Sequence, residues 1–174
     1  STNNGGSVLR WLRDTLGQLE VAAANALGLD PYDLLTAEAE KAEPGASGLL
    51  FLPFMAGERF PFRDPYSRGT LLGLRYDHRK GHVVRAFMEG VALTLRAIIE
   101  VMVENECRPS LLLGGGGGLK SRLWARIIAS ATEIPVARVA GGEYASNRGA
   151  AALAYLALGA ASSFEELGWE RSVV

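Results

Sequence analysis

The sequence predicts an α/β layered domain, and two observations carry that reading. Short apolar runs closed by Pro or Gly alternate with segments whose apolar residues recur at helical spacing. One of those runs, Ser110-Leu111-Leu112-Leu113, enters five consecutive glycines, Gly114 to Gly118, that lead into a further helical segment. The order is strand, glycine loop, helix. With 174 residues, 48% of them hydrophobic, the chain is long enough to bury one sizeable core and is read as a single domain over 1–174.

Val8, Leu9, Trp11, Leu12, Leu16 and Leu19 repeat at helical intervals and predict a helix from Ser7 to about Leu19 with one buried stripe. Asp30 as cap and Pro31 at the first helical position start a second helix, which runs to about Ala42 before Pro44 and Gly45 end it. Gly48-Leu49-Leu50-Phe51-Leu52 is too short for a helix and is closed by Pro53, so it reads as a buried strand. Pro53, Gly57, Pro61, Pro65 and Gly69 break up the stretch that follows, which is loop. Thr70 to Tyr76 offers another strand. From Gly81 to Asn105 the apolar repeat persists over many turns, giving the longest helix and the central one. Beyond the glycine run, a helix is expected from Ser121 to Ala131 and a strand from Pro135 to Val139. A turn at Gly141-Gly142 and an Ala-rich helix from Ser146 to Leu158 come next. The tail after Ser162 suggests at most a short helix.

Lys plus Arg total 18 against 19 Asp plus Glu, and no basic stripe dominates any segment, so neither a nucleic-acid nor a membrane-surface partner is expected. The run from Gly149 to Ala161 is too short and too rich in Ala and Gly to span a bilayer. A lone Cys107 excludes an internal disulfide, and the few scattered His, Met and Cys residues point to no metal-ligating set. A soluble, cytoplasmic protein is expected. The lead-in Ser1-Thr2-Asn3-Asn4-Gly5-Gly6, without an initiator Met, reads as the start of a piece cut from something longer.

Five adjacent glycines cost backbone entropy on ordering, and the usual reason is the close approach of a ligand. Bare backbone lets main-chain amides come near a phosphate or a purine ring, and the helix opening at Ser121 adds partial positive charge from its N-terminus. An adenine nucleotide satisfies both features. Lys120 can add a charge or point into water. The run also reads as a strand-to-helix turn that binds nothing. It lacks the Gly-Lys-Ser/Thr ending of a Walker loop, and its contiguous glycines are not the three-glycine dinucleotide fingerprint.

Gly116-Gly117-Gly118-Leu119-Lys120-Ser121-Arg122-Leu123-Trp124-Ala125 and the residues after it resemble the adenosine motif of FGGY carbohydrate kinases, members of the actin-like ATPase (ribonuclease H-like) superfold. Three more stretches agree in order. Gly57-Glu58-Arg59 through Asp64-Pro65 to Arg68-Gly69 resembles the family's Gly-Glu-Arg segment, and Gly69 to Glu89 is similar to its C-terminal signature. Asn4-Gly5-Gly6, followed by Leu9-Arg10-Trp11, looks like the segment that opens this half of gluconate and xylulose kinases. Arg126 and Ser130 depart from the usual Gln and Asp, and Phe87 is bulkier than the signature normally shows.

The resemblance implies a mixed sheet flanked by helices, forming the C-terminal, nucleotide-binding half of a two-domain sugar kinase that uses ATP and Mg²⁺. Gly116, Gly117, Gly118 and Ser121 would bind the nucleotide on one side, with Gly6 and Arg10 closing the other. No catalytic residue is expected here, because the general base and the phosphate loop belong to an N-terminal domain, which would also make most contacts to the small-molecule sugar or sugar acid. Gluconate is the first substrate expected and xylulose the second. Apolar surface left by that absent half would favour self-association, including a homodimer. The rival reading is a non-catalytic nucleotide-binding or regulatory actin-like module. Glu58, Arg59, Asp64 and Arg68 read as an ion-paired loop rather than a catalytic cluster. His78 and His82 sit at a helix start without metal spacing. Glu143 and the segment 147–151 are expected to pack against the glycine run or to cap a helix.

Overall fold

In the computed structural model, residues 2, 4–139, 141–167 and 171–173 are described; Asn3 of the opening segment and the side chain of Glu143 lie outside that set. Gly17 divides what reads as one opening helix into α1 (Gly6–Leu16) and α2 (Gln18–Leu27). Its N–H still bonds Arg13 O at 3.1 Å, but its backbone leaves helical geometry at φ −104°, ψ 22°. The bend turns Leu19 out of the expected stripe. Only Val8, Leu9 and Leu12 of that stripe are buried, whereas Trp11, Leu16 and Leu19 are exposed. Asp30 caps α3 (Pro31–Glu40) as its sequence suggests, its carboxylate accepting from Tyr32 N at 2.9 Å.

Strand β1 (Leu50–Leu52) pairs antiparallel with β2 (Thr70–Leu72), placing Leu50 opposite Leu72. The second strand is shorter than its apolar run because Gly73, at φ +85°, turns the chain away. Helix α4 (Lys80–Glu104) starts where His82 Nδ1 accepts from Arg79 N at 2.9 Å, and packs against α1, α3, β1 and α5. Val84, Phe87, Met88 and Val91 are buried there. Phe87 stacks face to face on Phe51, with centroids 3.6 Å apart, and lies parallel to Trp11 at 6.1 Å. The bulk of Phe87 therefore fills an aromatic stack.

Strand β3 (Leu112–Gly114) runs parallel to β4 (Val136–Val139), and β4 pairs antiparallel with β5 (Arg171–Val173). Among the described residues the single mixed sheet expected from the resemblance is thus divided: a mixed three-stranded sheet, and a separate two-stranded one. The breaker-rich loop 53–69 joins β1 to β2. Strand β5 falls in the tail, where only a helical turn (Glu165–Leu167) matches expectation. Three residues without an apolar run carry no strand signal of their own; pairing with β4 makes them one. Helix α5 (Arg122–Thr132) and helix α6 (Ala145–Ala157) complete the chain. The core cluster joins α1, α3, α4, α5, β1 and β4. No described helix is long and apolar enough to cross a membrane.

Candidate functional site

A cavity of about 390 Å³ opens between α1, the first two turns of α3, the N-terminal third of α4 and the glycine run that leads into α5. Gly6, Arg10, Gly117, Gly118 and Ser121 all line it. Gly116, expected among them, does not.

The α1 wall is held in place from outside the helix. Asn4, 1% exposed, donates from Nδ2 to Gly57 O at 2.8 Å and accepts at Oδ1 from Ala56 N at 3.2 Å, which fixes the entry to α1. Gly5 gives α1 no side-chain cap, whereas α3 and α5 are capped by Asp30 and Ser121. The first amides of α1 therefore receive no bond from a capping side chain. Arg10 and Arg13 reach the cavity from the same helix. The Arg13 guanidinium lies 5.1 Å from the centre of the Tyr32 ring, and its hydrogen bond to Asp14 holds its pKa above the ordinary arginine value.

Opposite stands the glycine run, where each position has its own reason. A Cβ at Gly114 would collide with Leu119, and one at Gly115 would sit 2.8 Å from Gly142 O. Gly116 adopts φ +94°, outside the range that side chains tolerate, while its N–H donates to Gly142 O at 3.0 Å. A Cβ at Gly118 would lie 3.0 Å from Trp124 Cε3 and closer still to Cζ3. Gly117 has open space on its Cβ side. Packing and the turn thus account for four of the glycines, and only Gly117 is bare towards the cavity.

Ser121 caps α5 by accepting from Trp124 N at 3.2 Å, and Thr36 Oγ1 donates to the same hydroxyl at 3.4 Å. Arg13, Tyr32, Asp33 and Thr36 line the cavity without a signal in the sequence, and Trp124, named there only within the adenosine motif, joins them. Asp30-Pro31 marks where α3 begins, but nothing in it says that the first turn faces a loop far along the chain. Lys120 also borders the cavity and is exposed. The residue that packs on the glycine run is Gly142, in the turn Gly142–Tyr144, and not a residue of the expected segment 147–151.

Larger hollows lie elsewhere. One of about 690 Å³, between α3, α4 and α5, contains the pair Arg85–Glu89 at 2.7 Å. Those charges are already engaged, Arg85 with Ala42 O and Glu89 with Gly45 N. Arg126 and Ser130 border this hollow, and Arg126 faces Glu40 at 3.4 Å, so both departures from the family pattern lie off the glycine cavity. In the loop 53–69, Asp64 accepts from Tyr66 N and Ser67 Oγ, and Arg68 donates to the Pro65 and Ser67 carbonyls. The Ser67 bond above all keeps the Asp64 carboxyl below its ordinary pKa. Buried Glu58 accepts from Thr2 Oγ1 at 2.6 Å and Arg59 N at 2.8 Å. Among the described residues no ion pair joins Asp64 to Arg68: their bonds go to local hydroxyl, amide and carbonyl groups, and the Arg68 charge adds only a weaker pull on Asp64.

Residues 1–158 match the model of the FGGY family of carbohydrate kinases, C-terminal domain. The chain is 39% identical to gluconokinase of Bacillus subtilis over 165 residues, covering 94% of this chain and 32% of that protein. Against xylulose kinase of Escherichia coli it is 32% identical over 145 residues, covering 83% and 30%. Among solved structures, ligand-bound xylulose kinase from Lactobacillus acidophilus superposes with a TM-score of 0.74 at 30% identity, over 98% of this chain and 33% of that one. The chain spans about a third of the length of each of these relatives. A family match over nearly the whole chain, on a mixed helix and sheet fold, means that the chain belongs to the FGGY family of carbohydrate kinases, as its C-terminal domain.

Proposed function

We propose that this domain is the nucleotide-binding half of an ATP-dependent carbohydrate kinase whose substrate is gluconate first and xylulose second. The observation that carries the reading is the convergence of Gly6, Arg10, Gly117, Gly118 and Ser121 on one cavity. Its volume of about 390 Å³ falls inside the range of roughly 300–1,000 Å³ usual for small-molecule sites. The bare Gly117 face fits the flat approach of a purine.

The Gly117–Gly118 peptide would lie against the base, and the Ser121 hydroxyl, with Thr36 beside it, would bond the base or ribose. On the other wall, the first amides of α1 at Gly6 and the charge of Arg10 would face the phosphates. ATP supplies the phosphoryl group that is transferred. Mg²⁺ would arrive on the nucleotide's phosphates; among the described residues no three His, Cys, Asp or Glu side chains gather to hold a metal. The general base and the phosphate loop are assigned to a preceding domain, so this half binds and orients nucleotide and excludes water when the two halves close. The ribonuclease H-like form of the fold belongs to the same reading. Gluconate precedes xylulose because the opening Asn-Asn-Gly-Gly segment resembles gluconate kinases slightly more, and the gluconokinase relative is the more similar one.

Calorimetric titration of ADP into the chain tests the site, with saturable binding expected; no heat at millimolar ADP would sink the reading. In a coupled assay, sugar-dependent ATP consumption is expected from the longer protein with gluconate and not from residues 1–174 alone. Robust turnover by the chain alone would remove the division of labour.

A further inference from the structure

We propose that Trp124 is a positioning residue for the nucleotide, its indole ring setting the height of the glycine run and so the width of the slot that Gly117 faces. The inference rests on the nucleotide reading of this cavity.

Two ends of Trp124 are fixed. Its backbone N–H is held by Ser121 Oγ at 3.2 Å, and its indole Nε1 donates to Met88 O in α4 at 3.1 Å. The ring is buried, with only 4% of the residue exposed, yet it forms part of the cavity lining. A rigid, flat side chain tied down by its own N–H cannot turn to absorb pressure from above. Above it sits Gly118, so close that a single added carbon would strike the six-membered ring. The preceding residue, Gly117, lines the cavity, and a Cβ there would meet nothing within 4 Å. One glycine is pressed onto the ring while its neighbour presents bare backbone to the ligand space. The peptide between them transmits the thickness of the indole to the surface that a base would rest on. Trp124 thereby links α4 to the glycine run, and loop height depends on the ring rather than on the flexible glycines themselves.

The test is a double-mutant cycle read by ADP calorimetry on the wild type, Gly118→Ala, Trp124→Phe and the double variant, each checked for folding by circular dichroism. Gly118→Ala should weaken ADP binding by at least about tenfold, because the methyl lifts the loop off the ring. Trp124→Phe removes the outer ring atoms and makes room for that methyl. The double variant should therefore bind ADP more tightly than Gly118→Ala alone, an outcome that a ring important only for stability would not give. If Gly118→Ala binds like wild type, or the double variant binds no better than Gly118→Ala, the positioning role is overturned. Absence of ADP binding in the wild type would instead remove the nucleotide reading, and this inference with it. A second readout does not depend on Gly118→Ala folding: with Trp11→Phe and Trp169→Phe, Trp124 is the only tryptophan left. Saturating ADP should change its emission. Unchanged emission, with binding verified by calorimetry, would overturn the proposal.

Discussion

Helix α4 buries ten of its 25 residues among its neighbours, whereas α6 buries only Ala152 of its 13. Both are apolar. Leu153 and Tyr155 of α6 stay exposed, while Val84, Phe87, Met88 and Val91 of α4 are covered by α3, α5 and β1. An apolar helical pattern shows that a helix has something to bury; the neighbours decide whether it is buried. The same contrast holds for single glycines. A Cβ at Gly90 of α4 would run into the Phe51 carbonyl oxygen, and one at Gly117 would meet nothing. Covered and open positions should therefore answer the same substitution in opposite ways.

Gly90→Val is expected to have the largest effect, because the Phe51 backbone of β1 cannot yield as a flexible side chain would. A loss of about 3 kcal/mol or more is expected in urea unfolding, enough to unfold a marginal domain. A variant as stable as wild type would show that α4 and β1 are less closely packed than described. Gly117→Val puts the same side chain into open space. Thermal unfolding should be nearly unchanged while ADP binding is lost from calorimetry; retained binding would place the nucleotide elsewhere.

The leucine pair comes next. Leu12→Ala, at a position 1% exposed, should cost about 2–5 kcal/mol in chemical denaturation. Leu153→Ala, at 61% exposed, should stay within about 0.5 kcal/mol. Equal losses at the two sites would mean that α6 is covered in solution. Ser121→Ala is the mildest change at the site. Removing the α5 cap should cost about 1 kcal/mol of stability, and loss of one hydrogen bond should weaken ADP by less than about tenfold. A larger loss of affinity than Gly117→Val produces would reverse the roles given to the two residues.

Local chemistry made much of this fold legible. Asp30-Pro31 announces the start of α3, the long apolar repeat announces α4, and the glycine run between Leu113 and Ser121 announces a strand-to-helix turn. The residues placed around the cavity were found through motif resemblance, and five of the six line it. The α3 side of the cavity carries no such signal: Tyr32, Asp33 and Thr36 look like ordinary residues of an amphipathic helix until folding brings them to the cavity, where Thr36 bonds Ser121. Gly17 gives no break signal in the sequence, because its apolar neighbours continue a helical rhythm across it. The strand β5 has no signal outside its pairing with β4.

The sequence by itself determined where helices start, which runs are apolar, and that five glycines stand together, because capping, periodicity and backbone freedom are properties of neighbouring residues. The family was legible through motif resemblance, because the opening Asn-Gly-Gly, the Gly-Glu-Arg segment, the C-terminal signature and the glycine run stand in the family's order. Only the tertiary structure decided why each glycine is a glycine. Leu119, Gly142 and Trp124 are brought against Gly114, Gly115 and Gly118 by the packing of α5 and of the turn before α6, while Gly117 is left bare. Steric contact between residues separated along the chain exists only once the chain has folded, so it could not be read from their order.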